Sequence, residues 1–244
     1  MRYSDVCGEK VSMLGMGCMR LPVKKGSIIR SIDYVEGKRV IDYAMEHGIN
    51  YFDTAYIYHL GKSETFLAKA LQDYPRESYF LADKFHIMTN PSYKHVFKRQ
   101  LKKLRTDYID FYLAHGIMDF TYRSYIQSGC VEWLMEQKER GRIKHLGFSS
   151  HASPGSLRKF CEYADWDFVQ LQINYMDWQF GTAREQYEIA CEFGLPVIVM
   201  EPVKGGRLVS LGEQPDAMLK GRDPEHSIPS WAMRFLMGLP QVKV

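Results

Sequence analysis

The feature that most constrains this chain is an alternation. Short apolar runs rich in β-branched and aromatic residues stand at 11–19 (VSMLGMGCM), 51–55, 79–85 (YFLADKF), 109–114 (IDFYLA), 143–149 (IKHLGFS), 167–173 (DFVQLQI) and 195–202 (LPVIVMEP). Helical stretches follow them at 35–47, 64–74, 91–105, 128–140, 154–163, 183–193 and 228–237. A loop is expected over 24–36, and QVKV at 241–244 reads as the opening of an eighth strand. Strand and helix alternating in this way predict a parallel sheet covered by helices. Right-handed crossovers curl successive units in one direction. The expected fold class is therefore α/β, a (β/α)8 TIM barrel formed by one domain over residues 1–244; ~250 residues is usual for that fold. The eighth unit is short, so the expectation is a barrel truncated within it, its C-terminal part missing. Such a barrel would expose the edges of strands one and seven. Marginal stability or association, including a homo-oligomer, is expected to follow.

Composition removes several classes of function. Hydrophobic residues make up 45% and charged residues 25%, the balance of a soluble globular chain. A net charge of +3 without a block of Lys or Arg gives no nucleic-acid footprint. The basic stretch at 91–105 fits the solvated face of an amphipathic helix. No apolar run approaches the ~18 residues of a membrane span, and the N-terminus lacks the apolar core of a secretory signal. Five cysteines, with no C-x-x-C pair, fit reduced thiols. A cytoplasmic location without membrane association is expected. Gly15-Met16-Gly17 carries Arg20 where a dinucleotide fingerprint needs its third glycine, so an open Rossmann sheet is the weaker fold reading.

Polar residues interrupt the apolar runs in phase. Asp53 and Lys84 are 31 residues apart, as are Lys84 and His115, and Ser149 lies 34 further on. One strand–helix unit takes ~30 residues, so these positions fall near the C-terminal ends of successive strands and converge on one rim. Polar residues there read as site rather than core. Tyr58 follows Asp53 in the same strand-to-helix loop. A phenol is a weak acid near neutral pH unless its anion is stabilised. Lys84, held by Asp53, can stabilise it, and a neutral His115 can donate a hydrogen bond to a carbonyl oxygen. This set suits protonation of an oxygen whose carbon receives a hydride, and a hydride needs a carrier that side chains cannot replace. Ser149, Ser150 and Gln170 could hydrogen-bond a carboxamide. The glycines and cations of residues 201–207 (EPVKGGR) could approach a pyrophosphate.

On these residues the sequence resembles the aldo-keto reductase superfamily over nearly its whole length. FDTAYIYHLGKSE is similar to that family's FDTA-x-x-Y-G-x-x-E signature, and LADKF, LAHG, LGFSSH and QLQINY follow in the family's order. The resemblance implies reduction of an aldehyde or ketone, a small-molecule carbonyl substrate, with NADPH, or less often NADH, as hydride donor. It makes Tyr58 the general acid, Lys84 the group lowering its pKa, Asp53 the partner of Lys84 and His115 the orienter of the carbonyl. It assigns Ser149, Ser150 and Gln170 to the nicotinamide carboxamide, Met200 to the face of the nicotinamide, Gly17, Cys18, Met19 and Arg20 to the cofactor floor, and Pro202, Val203, Lys204, Gly205 and Gly206 to the pyrophosphate. GMGCMRLP, SSH and VMEPVKGG resemble a bacterial branch that often carries a ferredoxin-like extension; an iron–sulfur cluster is expected only if such an extension exists. Tyr56, His86, Met118 and Trp178 are candidate pocket residues. The alternative function is a non-catalytic cofactor-sensing or regulatory subunit of the same fold. A metal-dependent barrel hydrolase is disfavoured, since no two histidines form an H-x-H pair.

Overall fold

A computed structural model describes residues 1–27 and 31–244. Residues 28–30, part of the expected loop at 24–36, lie outside the described residues. The core is a parallel sheet of seven strands, β3 (Met16–Gly17), β4 (Tyr51–Asp53), β5 (Phe80–Phe85), β6 (Ile109–Ile117), β7 (Ile143–Ser150), β8 (Phe168–Gln172) and β9 (Val197–Met200), paired in sequence order. Helices α1 (Tyr34–Glu46), α2 (Ser63–Ala70), α3 (Tyr93–Leu104), α4 (Tyr122–Gln127), α5 (Cys130–Glu139), α6 (Pro154–Cys161), α7 (Tyr175–Phe180), α8 (Ala183–Glu192), α9 (Glu213–Arg222) and α10 (Ile228–Met237) connect or follow the strands. The expected alternation is present.

Side chains alternate across a strand, and here the alternation sorts the apolar residues into two cores. Phe52, Leu81, Tyr112, Phe148, Val169 and Val197 face outward and pack beneath the helices. Tyr51, Ala82, Phe111, Leu113, Phe168 and Ile198 face inward and fill the lumen. Gly147 is also an inward position: a Cβ there would lie 2.5 Å from the Phe168 carbonyl oxygen and 2.7 Å from its ring. The absence of a side chain on β7 gives Phe168 its place.

The beginning of the chain departs from the sequence reading. Residues 11–19 are not one strand. A hairpin of β1 (Tyr3–Val6) and β2 (Glu9–Ser12) comes first, turning at Cys7 and Gly8 with φ of 55° and 87°. Two positive φ values in a two-residue turn match the twist of the flanking strands. Val6 and Val11 are fully buried and belong to the lumen core, so the hairpin plugs one end of it. Only Met16 and Gly17 remain as the first strand of the sheet, and a 3-10 turn follows at Cys18–Arg20.

The last residues pair as the expected opening of an eighth strand, and in doing so they cover an edge expected to be exposed. Gln241, Lys243 and Val244 exchange backbone hydrogen bonds with Val197 and Val199 of β9, and Val242 forms a parallel bridge to Val197. Strand seven is therefore covered. Val244 lies against the inner surface near Gly15. Among the described residues there is no ladder between this segment and β3. Helices α4, α7 and α9 were not anticipated. Helix α9 buries none of its residues, so no apolar stripe betrays it.

Candidate active site

The in-phase residues meet where the spacing placed them. Asp53, Lys84, Ser149, Gln170 and Met200 share the inward register of Tyr51, Ala82, Gly147, Phe168 and Ile198, two residues nearer the C-terminal end of each strand. They top the lumen core. The side chain of Lys84 is 1% exposed; its ammonium pairs with Asp53 and donates to the Thr54 carbonyl at 2.9 Å. Asp53 also accepts from Gln170 Nε2 at 3.1 Å. The Lys84 ammonium lies 5.1 Å from the Tyr58 ring centre, and that ring meets His115 edge-on at 5.9 Å. His86 stands on the other side of His115 at 5.6 Å.

Local backbone geometry carries Tyr58 to this position. It opens a turn, Tyr58–Gly61, in which His59, Leu60 and Gly61 have φ of 49°, 55° and 78°. Three successive left-handed residues reverse the chain between β4 and α2. The turn is tied to its neighbours by Lys103, which donates to the Gly61 carbonyl at 2.8 Å.

Burial sets the electrostatics. It raises the Tyr58 phenol above its ordinary value, with the Lys84 ammonium pulling the other way. Lys84 is held above the usual lysine value: burial opposes its charge, but Asp53 and Tyr58 outweigh it. His115 is driven well below the usual histidine range, first by burial and then by the Lys84 charge. Near neutral pH the cluster therefore comprises a protonated phenol, an ammonium ion and a neutral imidazole. Nδ1 of His115 is buried without a protein partner.

These groups open into a cavity of about 550 Å³, within the usual range for small-molecule sites. Gly17, Met19, Arg20, Gln170, Met200 and Pro202 line it as expected. Other expected cofactor residues do not. Cys18 is fully buried in the core beneath the helices, its thiol pushed up by that burial. Alternation explains this, because Cys18 follows inward-lining Gly17. Ser149 and Ser150 are buried just outside the cavity wall. Ser149 Oγ accepts the Gly116 N–H at 2.9 Å, and Ser150 Oγ accepts that of Ala152 at 3.1 Å.

The residues expected to meet a pyrophosphate, Val203, Lys204, Gly205 and Gly206, form a 3-10 turn beside the cavity rather than its wall. Lys204 pairs with Asp177, which also accepts from Gln172 and Asn174 and is held below the usual carboxylate range. Arg20 pairs with Glu201 at 3.1 Å, joining the loops after β3 and β9. Tyr56, His86, Met118 and Trp178 contribute nothing to the cavity wall; Ile57, His151 and Gln172 do. Gln172 was findable in the sequence, being two residues beyond Gln170 on the same face of β8.

No helix among the described residues is long and apolar enough to cross a membrane. Among them there is also no group of three or more His, Cys, Asp or Glu side chains placed to hold a metal ion.

Comparisons with known proteins agree with this fold. The profile of the Aldo/keto reductase family matches residues 13–237. A Glycine max protein described as an aldo-keto reductase is 30% identical over 210 residues, 82% of this chain. The chain spans 58% and 63% of the lengths of two curated relatives it matches. The holo form of aldo-keto reductase AKR11C1 from Bacillus halodurans superimposes with a TM-score of 0.81 at 26% identity, covering 100% of this chain and 84% of that one. An aldo-keto reductase from Klebsiella pneumoniae in complex with NADPH shares the fold with a TM-score of 0.75 at 18% identity, covering 99% and 82%. With a family match spanning both the sheet and the residues that crown it, this chain belongs to the aldo/keto reductase family.

Proposed function

We propose that the site reduces the carbonyl of an aldehyde or ketone to an alcohol, with a nicotinamide cofactor, NADPH before NADH, as partner. The observation that carries this reading is the convergence of Tyr58, His115 and Asp53 on one part of the cavity wall, with the Lys84 ammonium buried behind it, paired with Asp53 and 5.1 Å from the Tyr58 ring centre. Family membership and the NADPH complex of the Klebsiella relative support it.

The residues present fit a nicotinamide. Gln170 spends one amide N–H on Asp53, leaving its carbonyl oxygen to accept. Ser149, buried just outside the wall, accepts the Gly116 N–H and so fixes the strand end beside Gln170. Gly17 leaves open space where a side chain would stand. Met200 offers a polarisable surface beside them. A nicotinamide bound there supplies the hydride.

The chain's own residues handle the oxygen. Tyr58 holds a proton near neutral pH, as a general acid must. It gives that proton up as negative charge grows on the substrate oxygen, and the adjacent ammonium of Lys84 stabilises the phenolate left behind. Asp53 and the Thr54 carbonyl fix the ammonium in place. Neutral His115 orients the carbonyl oxygen without competing for the proton.

A fluorescence titration with NADPH and NADH, followed by turnover on a carbonyl panel, tests the reading. Saturable binding and turnover are expected. Tyr58→Phe is expected to lose turnover by about 10²–10⁴-fold with cofactor affinity kept. Unchanged turnover in Tyr58→Phe, or no cofactor binding, would overturn the proposal.

A further inference from the structure

Beneath the cavity lies a second polar group that the proposed chemistry does not use. Asp83 precedes Lys84 on β5 and so points outward, into the layer under α2 and α3. Asp83 and Glu64, the latter in the first turn of α2, are both fully buried. One oxygen of each is accounted for. Asp83 Oδ1 accepts the Lys84 N–H at 2.8 Å, and Glu64 Oε2 accepts from Lys103. Asp83 Oδ2 and Glu64 Oε1 are buried with no partner, and the two carboxyls are neighbours, close enough for the Glu64 charge to act on Asp83.

Two ionised carboxylates offer only acceptors. Both oxygens would then stay unpaired in a buried layer, with Lys103 paired to Glu64 and, among the described residues, no ion pair to Asp83. A single proton between them satisfies both oxygens and balances the charge. We propose that Asp83 and Glu64 share one proton in the folded protein, carried by Asp83, and that this pair is a positioning element for Tyr58 and Lys84. Glu64 is the ionised partner, since it holds Lys103 and sits at a helix N-terminus, where negative charge is favoured.

The surroundings are consistent with this assignment. Burial first, and then the Glu64 charge, pushes Asp83 well above the usual carboxylate range; the N–H and ammonium of Lys84 oppose this. Lys103 from α3, Lys84 from β5 and the phenol of Tyr112 from β6 are the other titratable groups facing the pair. Tyr112 is engaged with Gln100 at 2.6 Å.

The pair reaches the site through backbone. Asp83 fixes the N–H of Lys84, and Gln100 fixes its carbonyl at 3.1 Å. Lys103, held by Glu64, grips the Gly61 carbonyl at the end of the turn that carries Tyr58. Loss of the proton would set two like charges against each other beneath both segments. The positioning role rests on the carbonyl-reductase reading; the shared proton does not.

Infrared spectra of the folded protein at neutral pH should show a protonated carboxyl stretch that disappears in Asp83→Asn. Because the folded-state pKa is raised, the stability contribution is fullest below the ordinary aspartate pKa and declines as pH rises towards the folded value. Wild-type melting temperature should therefore fall as pH rises above the ordinary aspartate value of ~3.9 more steeply than that of Asp83→Asn. The asparagine amide donates to Glu64 and its carbonyl accepts from Lys84, mimicking the protonated acid. Asp83→Ala leaves both groups unpaired, and its turnover should fall by about 10²-fold with KM little changed, while Asp83→Asn stays close to wild type.

A missing carboxyl band together with identical pH profiles would overturn the shared proton. Asp83→Asn as impaired as Asp83→Ala would overturn the positioning role. If Asp83→Ala does not fold, turnover of Asp83→Asn against wild type decides that role, and a marked loss would count against it. Wild type inactive on every carbonyl would defeat the reductase reading and the positioning role with it; the spectra and melting profiles would still decide the proton.

Discussion

The two ends of the sheet solve the problem of a buried charge in opposite ways. At the strand N-termini, Asp110 is 1% exposed and saturated. It accepts from Arg76 at 2.5 Å, from Lys144 at 2.9 Å and from the Leu81 N–H at 2.9 Å. The guanidinium of Arg76 is packed against Tyr108 and Tyr79, its centre 4.2 and 5.2 Å from the two ring centres. At the strand C-termini, Lys84 is as deeply buried, but its neighbours keep unused capacity: the phenol of Tyr58 and the unpartnered Nδ1 of His115. A buried charge with every partner in place stabilises a fold. One surrounded by incompletely satisfied groups can respond to a ligand. The same two strands carry both arrangements on opposite faces: Asp110 shares the outward face of Tyr112 on β6, and Lys84 the inward face of Ala82 on β5.

Substitutions at the two ends should separate these roles. The largest effect expected is at the rim: Tyr58→Phe, which should cost about 10²–10⁴-fold in turnover, should leave the thermal melt almost unchanged, since it removes only a hydroxyl. A large loss of stability would mean that the rim is structural after all. Next is Asp110→Ala, which deprives Arg76 and Lys144 of their shared partner at the strand N-termini and should destabilise the fold by about 3–5 kcal/mol, measured by urea unfolding. An unchanged midpoint would break the contrast.

Gly147→Ala should cost about 1–3 kcal/mol by forcing the new methyl group against Phe168. The pH response comes next. The folded-state pKa of His115 is depressed, so its contribution to stability is complete above the unfolded value of ~6.5 and is lost as pH falls. The unfolding free energy, measured in urea, should drop on acidification below that point with a slope of at most about 1.4 kcal/mol per pH unit, and the drop should be shallower in His115→Gln. The smallest effect belongs to the exposed helix pair of Arg39 and Glu36. Arg39→Ala should change stability by no more than about 0.5 kcal/mol.

What the sequence made legible followed from period and phase. The β/α alternation is visible because strands buried on both faces read as apolar runs, and Asp53, Lys84 and His115 are visible because each breaks such a run one unit after the last. Other features had no local signal. The Cys7-Gly8 turn lacks the Asn-Gly or Asp-Gly pair that usually marks a tight hairpin, so the plug merged with the first strand. Cys18 looked like cofactor floor because its neighbours are, but a one-residue step reverses the side chain. Lys204 read as a cation for a pyrophosphate and Arg20 as cofactor floor; their partners, Asp177 and Glu201, lie 27 and 181 residues away in sequence. The pairing of Asp83 with Glu64 likewise depends on the packing of α2 against the sheet.

The hairpin plug has a practical consequence. Its exposed Lys10 belongs to the closed end of the lumen, whereas the cavity opens at the other. A surface linker or fluorophore installed there through Lys10→Cys would leave the mouth facing bulk solvent. With the exposed native thiol removed by Cys191→Ser, molecules tethered this way to a sensor chip or electrode would share one orientation, and ligand exchange on them could be timed without the support obstructing entry.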